Sequence, residues 1–171
     1  MIRSSNDVSD IVNAMAAAEI PLEVQWVDID YMIDQRDFTV DPVAWGSMGN
    51  LTDMLHDNGQ RFVLILDPAI PAEAGDDYLP AVSGLEEGVF IIDETGQSAV
   101  GTVWPGKTYF PDFHAPKTTE WWHYHVAELW EKYNFDGLWV DMNEPASFED
   151  MDCSGIGSLL HLILLHVSCI S

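Results

Sequence analysis

Three apolar segments, each closed by an aspartate, constrain this chain more than any other feature. They are LEVQWVD (22–28), RFVLILD (61–67) and DGLWVD (136–141), ending at Asp28, Asp67 and Asp141. Short, and rich in Val, Ile, Leu and Trp, they read as strands. Segments of helical character alternate with them. Residues 7–18, DVSDIVNAMAAA, repeat Val8, Ile11, Val12 and Met15 at helical spacing. Residues 41–59, DPVAWGSMGNLTDMLHDNG, read as a second helix, with Asp41 as N-cap, Pro42 in the first position and Gly59 as the stop. Residues 118–133, TTEWWHYHVAELWEKY, give a third. The order α-β-α-β-α-β with near-continuous apolar strands predicts an α/β fold whose parallel sheet is covered on both faces. In such folds sites form beyond the carboxyl ends of the strands. A strand-terminal Asp can also do no more than cap the next turn, but three of them at one edge point to a site.

Composition narrows the partners. With 171 residues, 47% of them hydrophobic, the chain is long enough for a domain with a real core. Its 29 acidic residues against 6 basic ones give a net charge of −23, which argues against nucleic acid and anionic membrane surfaces. The charge suits a neutral or cationic substrate, and equally a solvated acidic surface of no functional meaning. Cys153 and Cys169 sit in no CxxC or His-rich spacing, so no zinc site and no metal is expected, and they can bridge or stay free. Nothing calls for a cofactor. The opening MIRSSNDVSD is polar, so no targeting segment is expected there. Asn50-Leu51-Thr52 is a glycosylation sequon, meaningful only in a secreted chain.

Two stretches break the alternation. Residues 71–115 are Gly- and Pro-rich, and a long excursion at the active edge of an α/β fold is usually functional. Residues 154–171 form an apolar tail foreign in composition to residues 1–153. Its apolar run is shorter than the about 20 residues a membrane span needs, so no membrane partner is expected. His161 and His166 in it read as incidental.

Three carboxylates converging with Trp26, Trp104 and Trp139 suggest a carbohydrate site, since carboxylate oxygens bind sugar hydroxyls and indoles stack on their apolar faces. Trp121 and Trp122 are expected to pack their helix on the sheet instead. WVDIDYM (26–32) with RDF (36–38), VLILDPAI (63–70), VWPG (103–106), FPDF (110–113) and GLWVDMNEPASF (137–148) together resemble glycoside hydrolase family 31. The resemblance is to its α-glucosidase branch, that of lysosomal acid α-glucosidase, maltase-glucoamylase and sucrase-isomaltase. It spans roughly residues 7 to 153.

The resemblance implies a (β/α)8 TIM barrel, of which this chain holds about strands two to four, with 71–115 inserted after the third. It implies a retaining exo-α-glucosidase that removes terminal α-1,4-linked glucose from maltose, malto-oligosaccharides or glycogen. Asp141 falls on the family's catalytic nucleophile, whose partner carboxyl first protonates the leaving oxygen and then activates water. Asp28 falls on the residue that holds hydroxyls of the non-reducing glucose. Ile65, Trp104, Trp139 and Met142 line that subsite, Asp67 lies close by, and Glu144 is expected to fix the loop that aims Asp141. The family's acid/base Asp comes well downstream and is absent here, so the chain is expected to be a fragment, inactive and poorly soluble alone because strand edges stay unpaired. A family Cys after this loop pairs with one further on; only Cys169 is available. Lysosomal or secretory location follows by resemblance alone. Competing readings are α-xylosidase or glucosidase II, a non-catalytic sugar-binding or regulatory fragment, and a metal-dependent hydrolase with Asp28, Asp67 and Asp141 as ligands. The last leaves the tryptophans unexplained.

Overall fold

The computed structural model describes residues 2–148; both cysteines, His161, His166 and the expected tail at 154–171 lie outside them. In chain order the elements are α1 (Ser5–Ala17), β1 (Val24–Val27), α2 (Met48–Asp57), β2 (Arg61–Leu66), β3 (Ile70–Pro71), α3 (Leu79–Glu87), β4 (Val100–Val103), β5 (Gly106–Tyr109), α4 (Pro116–Tyr133) and β6 (Gly137–Val140). They fall into two compact units. Of the described residues, one holds those up to Pro68 with Glu120–Glu144, the other Ala69–Thr119 with those from Pro145 on.

The first unit is the α/β layer that the three Asp-terminated segments predict. Its strands form a parallel sheet in the order β1-β2-β6. Val27 is level with Leu64, and Leu66 with Val140. Side chains alternate along a strand. Val27, Phe62, Leu64 and Leu66 therefore share one face, and they are buried in one cluster with Val8 and Val12 of α1, Met48, Leu51 and Leu55 of α2, and Leu129 of α4. Covering of both faces holds for the central strand only, where every residue after Arg61 is buried. On the outer strands Trp26 is 52% exposed and Val140 57%. β1 and β6 each have one paired neighbour among the described strands, so their flanks stay open.

Local chemistry sets the helix ends. Ser4 caps α1 by accepting from the Asp7 N–H at 3.1 Å, and Asp7 reaches back to the Arg3 N–H at 2.8 Å, a reciprocal arrangement that starts the helix at Ser5, before its apolar period. The helix expected over 41–59 is shorter, beginning at Met48. Asp41 does cap, accepting from the Val43 and Ala44 N–H groups, but what it caps is a separate turn. That turn carries Trp45 to full burial, and a Cβ on Gly46 would lie 2.3 Å from the Pro42 carbonyl oxygen. Gly59, at φ +74°, does stop α2. The sequon lies inside this helix, with the Thr52 hydroxyl fully buried and donating to the Met48 carbonyl. At the amino end of the sheet Asp136 accepts from the Phe62 N–H at 2.9 Å and pairs with His56 at 2.7 Å and Arg61 at 3.5 Å.

The second unit has structure of its own. β3, β5 and β4 make an antiparallel sheet in that order, with β4 and β5 joined as a hairpin. α3 ends at Gly88 in the left-handed conformation that a helix stop favours. Phe90 seats against Gly84 of α3, where a side chain would displace its ring. After β6, the Ser147 hydroxyl and the Phe148 N–H bond to the backbone of Thr102 on β4.

Candidate active site

Register gathers the candidate residues of the first unit on one face. Trp26 is level with Val63, Val63 with Gly137, and Ile65 with Trp139. One residue past the ladder, Asp28 is level with Ile65, and Asp67 with Asp141. By alternation all of these point to the face opposite Val27, Leu64 and Leu66, while Ile65 still belongs to the buried cluster and Trp139 packs against it. The carboxyl-terminal rim of that face thus carries Asp28, Asp67 and Asp141, with Ile65 and Trp139 beneath them. Gly137 contributes no side chain. Over that gap the rings of Trp26 and Trp139 meet edge to face, centroids 5.9 Å apart.

Two of the three carboxylates take the capping role. Oδ1 of Asp28 accepts from the Ile29 N–H at 2.7 Å, and Oδ1 of Asp141 from the Met142 N–H at 2.9 Å. Each caps the turn after its strand. Both residues are solvent-exposed, and among the described residues the second oxygen of each accepts no hydrogen bond. Met142 stands at φ +56°, a left-handed conformation that costs a non-glycine residue about 1 kcal/mol or more. Strain of this kind gathers where the position of a neighbouring group matters.

Asp67 differs. It is 4% exposed, and its Oδ1 is buried without a hydrogen-bond partner. Burial, then the charge of Asp141, then that of Asp28, push its pKa up to about 6. Across the sheet's other end the outcome is opposite. Burial raises the Asp136 pKa, but the Phe62 N–H, His56 and Arg61 outweigh it and hold the carboxyl below its usual range.

The remaining expected residues are placed as follows. Met142 is half-buried beside Asp141, and Glu144 is exposed, its side chain free of hydrogen bonds and ion pairs among the described residues. Trp104 belongs to the second unit, at the end of the β4–β5 hairpin, edge-on to Phe148 at 4.7 Å. Trp122 packs against the core cluster of the sheet, as expected, and both Trp121 and Trp122 also meet Phe38 of the RDF segment, Trp122 at 5.0 Å. His125 joins them, and burial lowers its pKa to about 4. Tyr31 is a supporting residue that sequence reasoning passes over. It is fully buried, and its hydroxyl donates to the Ile65 carbonyl at 2.8 Å, tying the loop after β1 to the strand that carries Asp67. Its one sequence sign is a tyrosine inside an otherwise acidic loop. Among the described residues no group of three or more His, Cys, Asp or Glu is placed to hold a metal ion. No described helix is long and apolar enough to cross a membrane.

The carboxyl edge of parallel strands alternating with helices, where this acidic rim lies, is where TIM barrels and open α/β folds place their sites. The chain matches the glycosyl hydrolases family 31 TIM-barrel domain over residues 1–161, and it belongs to that family. It is 44% identical to rat lysosomal alpha-glucosidase over 142 residues, 82% of this chain but 15% of the rat protein. It is 39% identical to human intestinal sucrase-isomaltase over 150 residues, 85% of this chain and 8% of that one. A crystal structure of the ER glucosidase II heterodimeric complex superposes with a TM-score of 0.77 at 28% identity, over 86% of this chain and 16% of that one. The chain therefore spans less than a fifth of the length of these relatives, and its three parallel strands are part of a (β/α)8 fold.

Proposed function

We propose that this chain carries the nucleophile side of a retaining α-glucosidase site. One observation supports this above the others. Asp141 stands at the rim beside Trp139, one oxygen fixed by the strained Met142 and the other unengaged. In the reaction that oxygen attacks the anomeric carbon of a terminal glucose, the glycosidic bond breaks, and a covalent glycosyl-enzyme forms. Asp28, equally held by one oxygen, accepts hydrogen bonds from the glucose hydroxyls. Ile65, Trp139 and Met142 line that subsite, and Glu144 supports the loop after Asp141.

The proton for the leaving oxygen comes from a carboxyl outside residues 1–171, so these residues alone do not turn over maltose. β1, β2 and β6 correspond to the second, third and fourth barrel strands, with Ala69–Thr119 between the last two. Maltose, malto-oligosaccharides and glycogen are the substrates of the complete protein, in a lysosomal or secretory compartment. The 44% identity to an enzyme named lysosomal alpha-glucosidase supports this choice over α-xylosidase.

The test is covalent trapping with 5-fluoro-α-glucosyl fluoride. Fluoride leaves without a proton, so the absent acid is not needed. Peptide mass spectrometry should find the fluoroglucosyl ester on Asp141, with none in Asp141→Asn. An adduct on another residue, or none on a folded chain, would overturn the assignment.

A further inference from the structure

Asp67 is the one member of the acidic rim that takes no part in capping and has no described partner for a buried oxygen. A buried carboxylate with nothing to accept from is a costly arrangement, and a protonated carboxyl is not. The charged groups acting on it are Asp141 and Asp28, both acidic, one on each neighbouring strand end. Parallel strands lie about 4.8 Å apart, so the level positions of Asp67 and Asp141 set the two residues side by side on one face, close enough for the charge of Asp141 to act on Asp67. We propose that Asp67 is a positioning residue that retains a proton between Asp28 and Asp141 and donates it as a hydrogen bond to the Asp141 carboxylate.

This rests on Asp141 being the nucleophile. The donor turns a cluster of three mutually repelling carboxylates into two charges and one neutral acid. Together with the Met142 N–H it holds one side of Asp141 and leaves the other oxygen to react. Of two ionised carboxylates neither can donate, so ionising Asp67 removes the hold. The upward shift of its pKa agrees with the geometry and places that loss near pH 6. The family's general acid would give a falling alkaline limb of its own, but trapping by a glycosyl fluoride needs no acid. A limb seen in trapping therefore belongs to the nucleophile's own surroundings.

Two measurements test this on the 171-residue chain. The first is pH-difference infrared spectroscopy of a hydrated film. A protonated-carboxyl band should persist to about pH 6 and be missing in Asp67→Asn. The second is the rate of trapping by 5-fluoro-α-glucosyl fluoride between about pH 4.5 and 8. The rate should fall several-fold above pH 6 in the wild-type chain. Asp67→Asn, whose amide donates at every pH, should lose the limb, and Asp67→Ala should trap slowly throughout. A limb unchanged in Asp67→Asn, or no protonated band above about pH 5, overturns the inference and leaves the nucleophile assignment standing. No adduct in any variant, with each shown to be folded, overturns the nucleophile assignment and the positioning role with it.

Discussion

Replacing Asp67 with Asn should stabilise the chain, and by an amount that depends on pH. An aspartate in an unfolded chain titrates near 3.8, whereas Asp67 in the folded chain titrates at about 6. Between those values the folded state holds a proton that the unfolded state has lost. Stability therefore falls as pH rises through the window, and levels off above it. Each pH unit is worth about 1.4 kcal/mol, so a shift of this size amounts to about 3 kcal/mol at most. Asp28 and Asp141 are open to solvent, and screening reduces the charge part, leaving about 2 kcal/mol. Asn cannot ionise and has no such slope. Urea unfolding of both chains at about pH 4 and pH 8 reads the difference, with equal m-values as the check that the transitions compare. Asp136 shifts the other way but is common to both chains and cancels. The stability gap should open in favour of Asn from pH 4 to pH 8. A gap that stays constant, or closes, would refute the account of Asp67 as a carboxyl held neutral by its surroundings.

Other perturbations follow from contacts already described. Tyr31→Phe leaves the buried Ile65 carbonyl without its donor and should cost about 1–3 kcal/mol in urea unfolding. Gly46→Ala sets a methyl group against the Pro42 carbonyl, which is backbone and cannot swing aside; a loss of about 1–3 kcal/mol by thermal or urea unfolding is expected, despite the residue's exposure. Asp136→Ala removes an acceptor from the Phe62 N–H and from His56 and should destabilise by about 1–3 kcal/mol at neutral pH. Because its folded pKa is depressed, that contribution is present above the ordinary carboxylate range and fades as pH falls through the folded value, so the two chains should converge in acid.

The sequence made the parallel sheet and its rim legible because both rest on short-range patterns. Strands β1, β2 and β6 are short, largely apolar runs, and their ends are marked by a change to Asp. What it misjudged depended on tertiary packing. The stretch 41–47 has helix-starting chemistry at Asp41 and Pro42, but burying Trp45 outweighs continuing a helix through Gly46. The α3 helix and the antiparallel sheet of 70–109 are carried by short segments among Gly and Pro, where no period is long enough to read. The distinct behaviour of Asp67 was not legible either. All three aspartates follow apolar strands, and only the structure reveals that one is covered while two face solvent. Tyr31 escaped notice because its hydrogen bond joins residues 34 apart.

The way Asp28 and Asp141 are fastened has an evolutionary consequence. In each, one oxygen maintains the bend after the strand and the other is left over. Any short side chain with an oxygen acceptor, Asn or Ser among them, can keep the bend without keeping the charge. The architecture of this edge can thus outlive the chemistry proposed for it by a single codon change, leaving the scaffold intact without its charge.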